Sequence, residues 1–192
     1  MRMRFKKRRV RRVAMLPTLV TLANGICGTL AIMKVGDGIK GQAGAFEHAA
    51  WLILAAMIFD VLDGKIARMT GTASKFGGQL DSLCDLVTFG LAPAFLVKAI
   101  CTDPASALFP EWRGGVFCVF SAAGGAGRLA RFNVAAAPDE KFHAEFAGLP
   151  TPAAAGVVVA GIIPWTEFGN EISALMVRIL PLVMFFIGLL ML

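Results

Sequence analysis

Asp60, Asp63, Asp81 and Asp85 lie inside otherwise apolar sequence, in the stretch Asp60-Val-Leu-Asp63-Gly64-Lys-Ile-Ala67-Arg68, eight further residues, then Gly77-Gly-Gln-Leu-Asp81-Ser-Leu-Cys-Asp85. On helices the first two are i,i+3 and the last two i,i+4, so each pair shares one face. An ionised carboxylate at the centre of a bilayer costs roughly 2.5–3.5 kcal/mol even on the lenient insertion scale. Four of them need something positive to hold. Carboxylates without a histidine make a hard-oxygen site suited to Mg²⁺ or Mn²⁺, with Ca²⁺ also admissible, rather than to zinc. Two such ions about 3.5–4 Å apart would neutralise the four charges and clamp a phosphate, the arrangement of two-metal phosphoryl transfer.

The small residues of the stretch fit that use. Gly64, Ala67 and Gly77 lie within about a turn of the acids and leave room for a ligand's sugar or base against the backbone. Arg68 offers a planar donor fork suited to phosphate. The bland alternative is small-residue helix packing, with Arg68 a topogenic charge. The complete spacing of acids, small residues and arginine favours the functional reading.

Elements must bring the two halves together. The chain has 192 residues, is 57% apolar and has a mean hydropathy of +0.70, too apolar for an ordinary soluble domain. The pattern predicts an all-α integral membrane protein with six transmembrane helices, near residues 16–35, 48–69, 79–100, 114–134, 149–165 and 172–192. A basic juxtamembrane segment, 1–15, precedes a single membrane domain, 16–192. The second and third spans are expected as antiparallel neighbours joined by a tight turn over residues 70–78, with both acid pairs at the same end. The sixth runs to Leu192 without a polar tail, the pattern of a chain cut short there.

Lys and Arg orient the bundle. Eight fall in the first twelve residues, three (Lys65, Arg68, Lys75) join the second and third spans, and three (Arg128, Arg131, Lys141) join the fourth and fifth. Only Lys34, Lys40, Lys98, Arg113 and Arg178 fall on the other side. The positive-inside rule then makes both termini and the acids cytoplasmic in a cell-membrane protein. Trp51, Trp112 and Trp165 all come at the expected outer ends, where indoles favour the interface. The net charge of +6 comes largely from the N-terminal arm. The arm reads as an anionic-lipid-binding, topogenic segment rather than a nucleic-acid arm. Its long charged region, with no small-residue cleavage site, does not read as a cleaved signal peptide.

The remaining chemistry-bearing residues say less. Cys27, Cys84, Cys101 and Cys118 are dispersed and read as small buried hydrophobes. His48 and His143 read as solvated loop residues. An ion path through a transporter is the rival use of intramembrane acids. A single motif at one side, with no second set and no inverted repeat, argues against it. A scaffold with a basic membrane-binding arm leaves the acids unexplained.

Asp-x2-Asp-Gly-x2-Ala-Arg-x8-Gly-x3-Asp-x3-Asp resembles the signature of the CDP-alcohol phosphotransferase family, with every defined position filled. The resemblance implies a six-helix membrane enzyme, commonly dimeric, that breaks the pyrophosphate of a CDP-linked donor such as CDP-diacylglycerol. An alcohol takes the phosphatidyl group and CMP leaves. It further implies that Asp60, Asp63 and Asp81 bind two divalent cations, and that Asp85 binds metal and takes the acceptor's proton. Gly64, Arg68 and Ser74 would hold the nucleotide.

Three segments resemble the phosphatidylserine synthase branch, whose acceptor is L-serine. These are Asn24-x3-Gly28 in the first span, Arg128-Leu-Ala-Arg131-Phe-Asn133 closing the fourth, and Phe146-Ala-Gly-Leu-Pro150-Thr-Pro152 opening the fifth. Asn24 is counted with Gly64, Ala67, Arg68, Ser74 and Gly77 as a CDP-lipid contact. Arg128 and Arg131, i,i+3 on a helix end, can receive a carboxylate or phosphate, and Asn133 adds amide hydrogen bonding. Two snorkelling arginines are the bland alternative. A glycerol phosphate or inositol phosphate acceptor would also suit them.

Overall fold

The computed structural model describes residues 2–71, 74–101, 111–135, 149–169 and 171–191, apart from the side chains of 2–14, 75, 111–113, 132, 135, 172 and 173, and every regular element among them is helical. The expectations for His143, Lys141, Phe146, Leu192 and the side chains of Trp112 and of the basic arm lie outside these residues. Helix α1 spans Arg2–Ile39, α2 Ala45–Thr70 and α3 Lys75–Asp85. A π-helical segment, Leu86–Leu91, continues α3 directly into α4, Ala92–Ile100. Then come α5, Glu111–Ala135, α6, Thr151–Phe168, and α7, Glu171–Met191.

Turn chemistry accounts for the boundaries of the acid-bearing pair. Helix α2 stops at Gly71, whose φ of 61° is left-handed and comfortable only without a side chain. Ser74 then caps α3, its Oγ accepting the Gly77 N–H at 3.0 Å. The expected turn over 70–78 is therefore shorter, with Gly77 and Gly78 already in the first turn of α3. Helices also reach past the expected spans elsewhere. His48 sits exposed in the first turn of α2 rather than in a loop.

The π segment has a local cause. Pro93 has no N–H to return to the carbonyl four residues earlier, and the widened turn comes just before it. Thr88, Phe89 and Gly90 in that segment are buried. The rod formed by α3, the π segment and α4 is the most buried of the apolar spans, and the others pack round it. Its Leu96, Val97 and Ile100 meet Ala31 and Val35 of α1, Ile53 and Ala56 of α2, Val158 and Ile162 of α6, and Leu180 and Met184 of α7 in one core. Large apolar side chains such as Leu19, Ile26, Met33, Ile58, Val61, Phe95 and Leu190 point outward. A water-soluble protein would not carry so much outward apolar surface.

Among the described residues, five helices are long and apolar enough to cross a membrane: Met15–Ile39, Ala45–Thr70, Phe76–Ile100, Thr151–Phe168 and Ala174–Met191. Helix α5 coincides with the expected fourth span but does not meet that standard. It is rich in glycine and alanine and ends in Arg128 and Arg131. Its attachment is through close packing with α7. A Cβ placed on Gly124 would stand 2.6 Å from the Gly188 carbonyl oxygen, and the Phe120 and Phe185 rings lie 5.0 Å apart. Small residues permit such approach where no hydrophobic drive separates helix from lipid.

That contact is testable. Gly124→Ala must push α5 off a rigid backbone and is expected to cost about 1–3 kcal/mol, seen as a lower thermal unfolding midpoint in detergent. Gly36→Ala, where a Cβ meets nothing within 4 Å, is the control expected to leave the midpoint unchanged or raised. Equal midpoints for the two variants would refute the packing argument.

Candidate active site

Helix α2 ends at Gly71 and α3 starts after the Ser74 cap, and both pack against α1, where the second acid pair meets the first. Carboxylate oxygens of Asp60, Asp63 and Asp81 all lie within 4.8 Å of one another. Asp63 is buried, and Asp60 and Asp81 are half-buried. Asp85 stands at the edge of this group, its carboxyl beside that of Asp60. It is buried, and its Oδ1 accepts from Asn24 Nδ2 at 3.0 Å.

The residues present fit divalent cations. Asp63 Oδ2, Asp81 Oδ1 and Asn24 Oδ1 are buried without a hydrogen-bond partner among the described residues. Oxygens so placed are costly unless a cation or a proton donor meets them. Asp60, Asp63 and Asp81 are the residues grouped to hold such an ion, and every donor in the set is a carboxylate oxygen.

Beside the acids opens a cleft of about 170 Å³ lined by Pro17, Thr18 and Thr21 of α1, Asp63, Gly64 and Ala67 of α2, and Ser74, Gly77, Gly78 and Asp81. Four residues singled out from the sequence as nucleotide contacts, Gly64, Ala67, Ser74 and Gly77, line it together. Arg68 is not among the lining residues but lies exposed beside Gly64. The guanidinium folds back along its own helix so that a Cβ on Gly64 would lie 3.4 Å from Nη1. Gly64 thus leaves space both for the cleft and for the arginine.

Asn24 lies elsewhere than the cleft. It is fully buried against Asp85 and the π segment, where its backbone carbonyl accepts from Thr88 Oγ1 at 3.2 Å. Gly28, one turn on, allows this approach. A Cβ there would stand 2.7 Å from Thr88 Cα.

On α5, Asn133 reaches the acid helix. Ser82 Oγ, next to Asp81, lies 3.2 Å from Asn133 Oδ1 and can donate to it. Arg128 is half-buried, with Nε buried and unpartnered among the described residues, and Arg131 is exposed. Pro17, Thr18, Thr21 and Gly78 escaped the sequence reading. A signal existed: Pro17, Thr21, Asn24 and Gly28, spaced four, three and four, fall on one face of an apolar helix.

The chain is 35% identical over 147 residues to CDP-diacylglycerol–serine O-phosphatidyltransferase of Helicobacter pylori (strain J99), covering 77% of this chain and 56% of that protein. The protein of the same description from Saccharomyces cerevisiae is 35% identical over 146 residues, 73% of this chain and 50% of the relative. Archaetidylserine synthase of Methanothermobacter thermautotrophicus is 34% identical over 166 residues, 85% and 64%. The chain thus spans between half and two thirds of the length of these relatives. A family model described as CDP-alcohol phosphatidyltransferase matches residues 14–190. With that match running from the first apolar span to the last and taking in all four aspartates, the chain belongs to the CDP-alcohol phosphatidyltransferase family.

Proposed function

We propose that this chain transfers the phosphatidyl group of CDP-diacylglycerol to the hydroxyl of L-serine, forming phosphatidylserine and releasing CMP. The observation that carries the reaction class is the grouping of Asp60, Asp63 and Asp81 beside a cleft walled by small residues. Serine as acceptor is supported by the descriptions of the relatives. A half-buried Arg128 with an unpartnered N–H further suits an amino acid's carboxylate. Phosphatidylglycerophosphate or phosphatidylinositol-phosphate synthesis is the alternative within the family, since an arginine pair also suits a phosphate.

Asp60, Asp63, Asp81 and Asp85 would hold two divalent cations, Mg²⁺ or Mn²⁺ foremost. When bound, these supply charge neutralisation for the pyrophosphate. Gly64, Ala67, Ser74 and Gly77 admit the cytidine side of the donor, and Arg68 beside Gly64 pairs with its phosphate. Arg128, Arg131 and Asn133 orient the acceptor. Asp85 takes the proton from the serine hydroxyl as that oxygen bonds to the lipid-bearing phosphorus. The bond from that phosphorus to the bridging oxygen breaks in the same step, and CMP carries the oxygen away. Positioning supplies most of the acceleration.

The chain sits in the cell membrane as six spans, α5 included, with both termini, the basic arm and the acids on the cytoplasmic side and a second copy as partner. The distribution of Lys and Arg supports this orientation.

Two measurements test the reading. CMP release with serine, glycerol 3-phosphate and inositol phosphate side by side is expected to be highest with serine by at least about tenfold, and to stop on chelation of divalent ions; a preference for either phosphate refutes the serine assignment. Asp85→Asn is expected to lose about 10²–10⁴-fold in turnover while CDP-lipid binding changes less than about threefold. Near wild-type turnover in that variant removes Asp85 as base, and isolation of a phosphatidyl-enzyme adduct removes the single displacement.

A further inference from the structure

Asp85 differs from the other three aspartates in its company. Asp60, Asp63 and Asp81 are grouped within 4.8 Å of one another, whereas one oxygen of Asp85 is tied to the side-chain amide of Asn24 at 3.0 Å. Asn24 is itself immobilised. Its side chain is fully buried, and its carbonyl is gripped by the Thr88 hydroxyl at 3.2 Å. Thr88 lies in the π segment that starts one residue after Asp85, so both bonds join α1 to the same stretch of the central rod. Gly28 lets the two backbones close to the distance these bonds need.

We infer that Asn24 is a positioning residue: with Thr88 and Gly28 it clamps the Asp85 carboxyl at the edge of the acid group by holding one of its oxygens with an amide. The inference rests on the reading above that Asp85 takes the acceptor's proton. The physical logic is direct. An amide N–H donates to a carboxylate without adding charge, so it can select one orientation of Asp85 beside three other negative groups. The π turn begins directly after Asp85 and contains Thr88, and such turns recur at functional sites. Asn24 acts through Asp85, and its assignment among the lipid contacts is replaced by this role.

The test uses the full chain in nanodiscs with CDP-diacylglycerol. Asn24→Leu keeps the approximate shape and removes the donor. Its kcat is expected to fall about 10²-fold, the scale of a 1 Å misplacement of a reacting group. KM for serine and for the CDP-lipid should stay within about threefold, and Mn²⁺ affinity measured by electron paramagnetic resonance on the substrate-free protein likewise. Thr88→Val, which frees the Asn24 carbonyl, is expected to lower kcat alone by a smaller factor. Should Asn24→Leu not be recovered folded, Asn24→Ser carries the same comparison. An unchanged kcat overturns the inference. So does a raised KM for the CDP-lipid at constant kcat, which would make Asn24 a donor contact, or a tenfold loss of Mn²⁺ affinity, which would make it support for the metal set. If the unmodified protein transfers to glycerol 3-phosphate instead of serine, the acceptor reading alone fails and the same variants are read with that alcohol.

Discussion

Crowded negative charge in a poorly polarisable setting is the constraint on which this molecule turns. Two unit charges about 4 Å apart repel by roughly 4 kcal/mol at an effective dielectric constant of 20, and here three carboxylates lie within 4.8 Å. The surrounding helices meet the acids with uncharged donors, such as the Asn24 amide on Asp85. The fold spends its turn chemistry, Gly71 and the Ser74 cap, on bringing like charges together. Such an arrangement is suited to counter-charge from outside, in keeping with the family's general use of divalent cations.

Much of the site was legible because its parts are local. The acids, Gly64, Ala67, Ser74 and Gly77 all lie on two consecutive helices, where periodicity and a short connection are enough to predict convergence. The contribution of α1 was not legible in the same way. Pro17, Thr18 and Thr21 reach the cleft, and Asn24 reaches Asp85, because two helices distant in sequence cross closely at Gly28. A crossing point depends on side-chain volumes from both partners, and single-helix periodicity carries only one of them. The polar stripe on α1 marked a face worth burying without naming what would bury it.

Span counting illustrates a second limit. Residues 114–134 were expected to cross the membrane, and α5 does form there as one helix. Its apolar character is diluted by glycine and by two arginines, so composition alone does not qualify it. Helix α5 owes its place to contact with α7 through Gly124, Gly188 and the Phe117–Phe120–Phe185 cluster. Hydropathy registers affinity for lipid, whereas this helix is held by affinity for protein.

The widened turn at Leu86–Leu91 also divides the labour of the most buried rod. An unbroken α-helix ties every side chain to one angular phase, about 100° per residue. With the extra backbone length, the half bearing Asp81 and Asp85 and the half bearing Leu96 and Val97 choose their neighbours independently. Polar selection and apolar interlocking are therefore uncoupled along a single axis, leaving the reactive end free to diversify without unsettling its anchor.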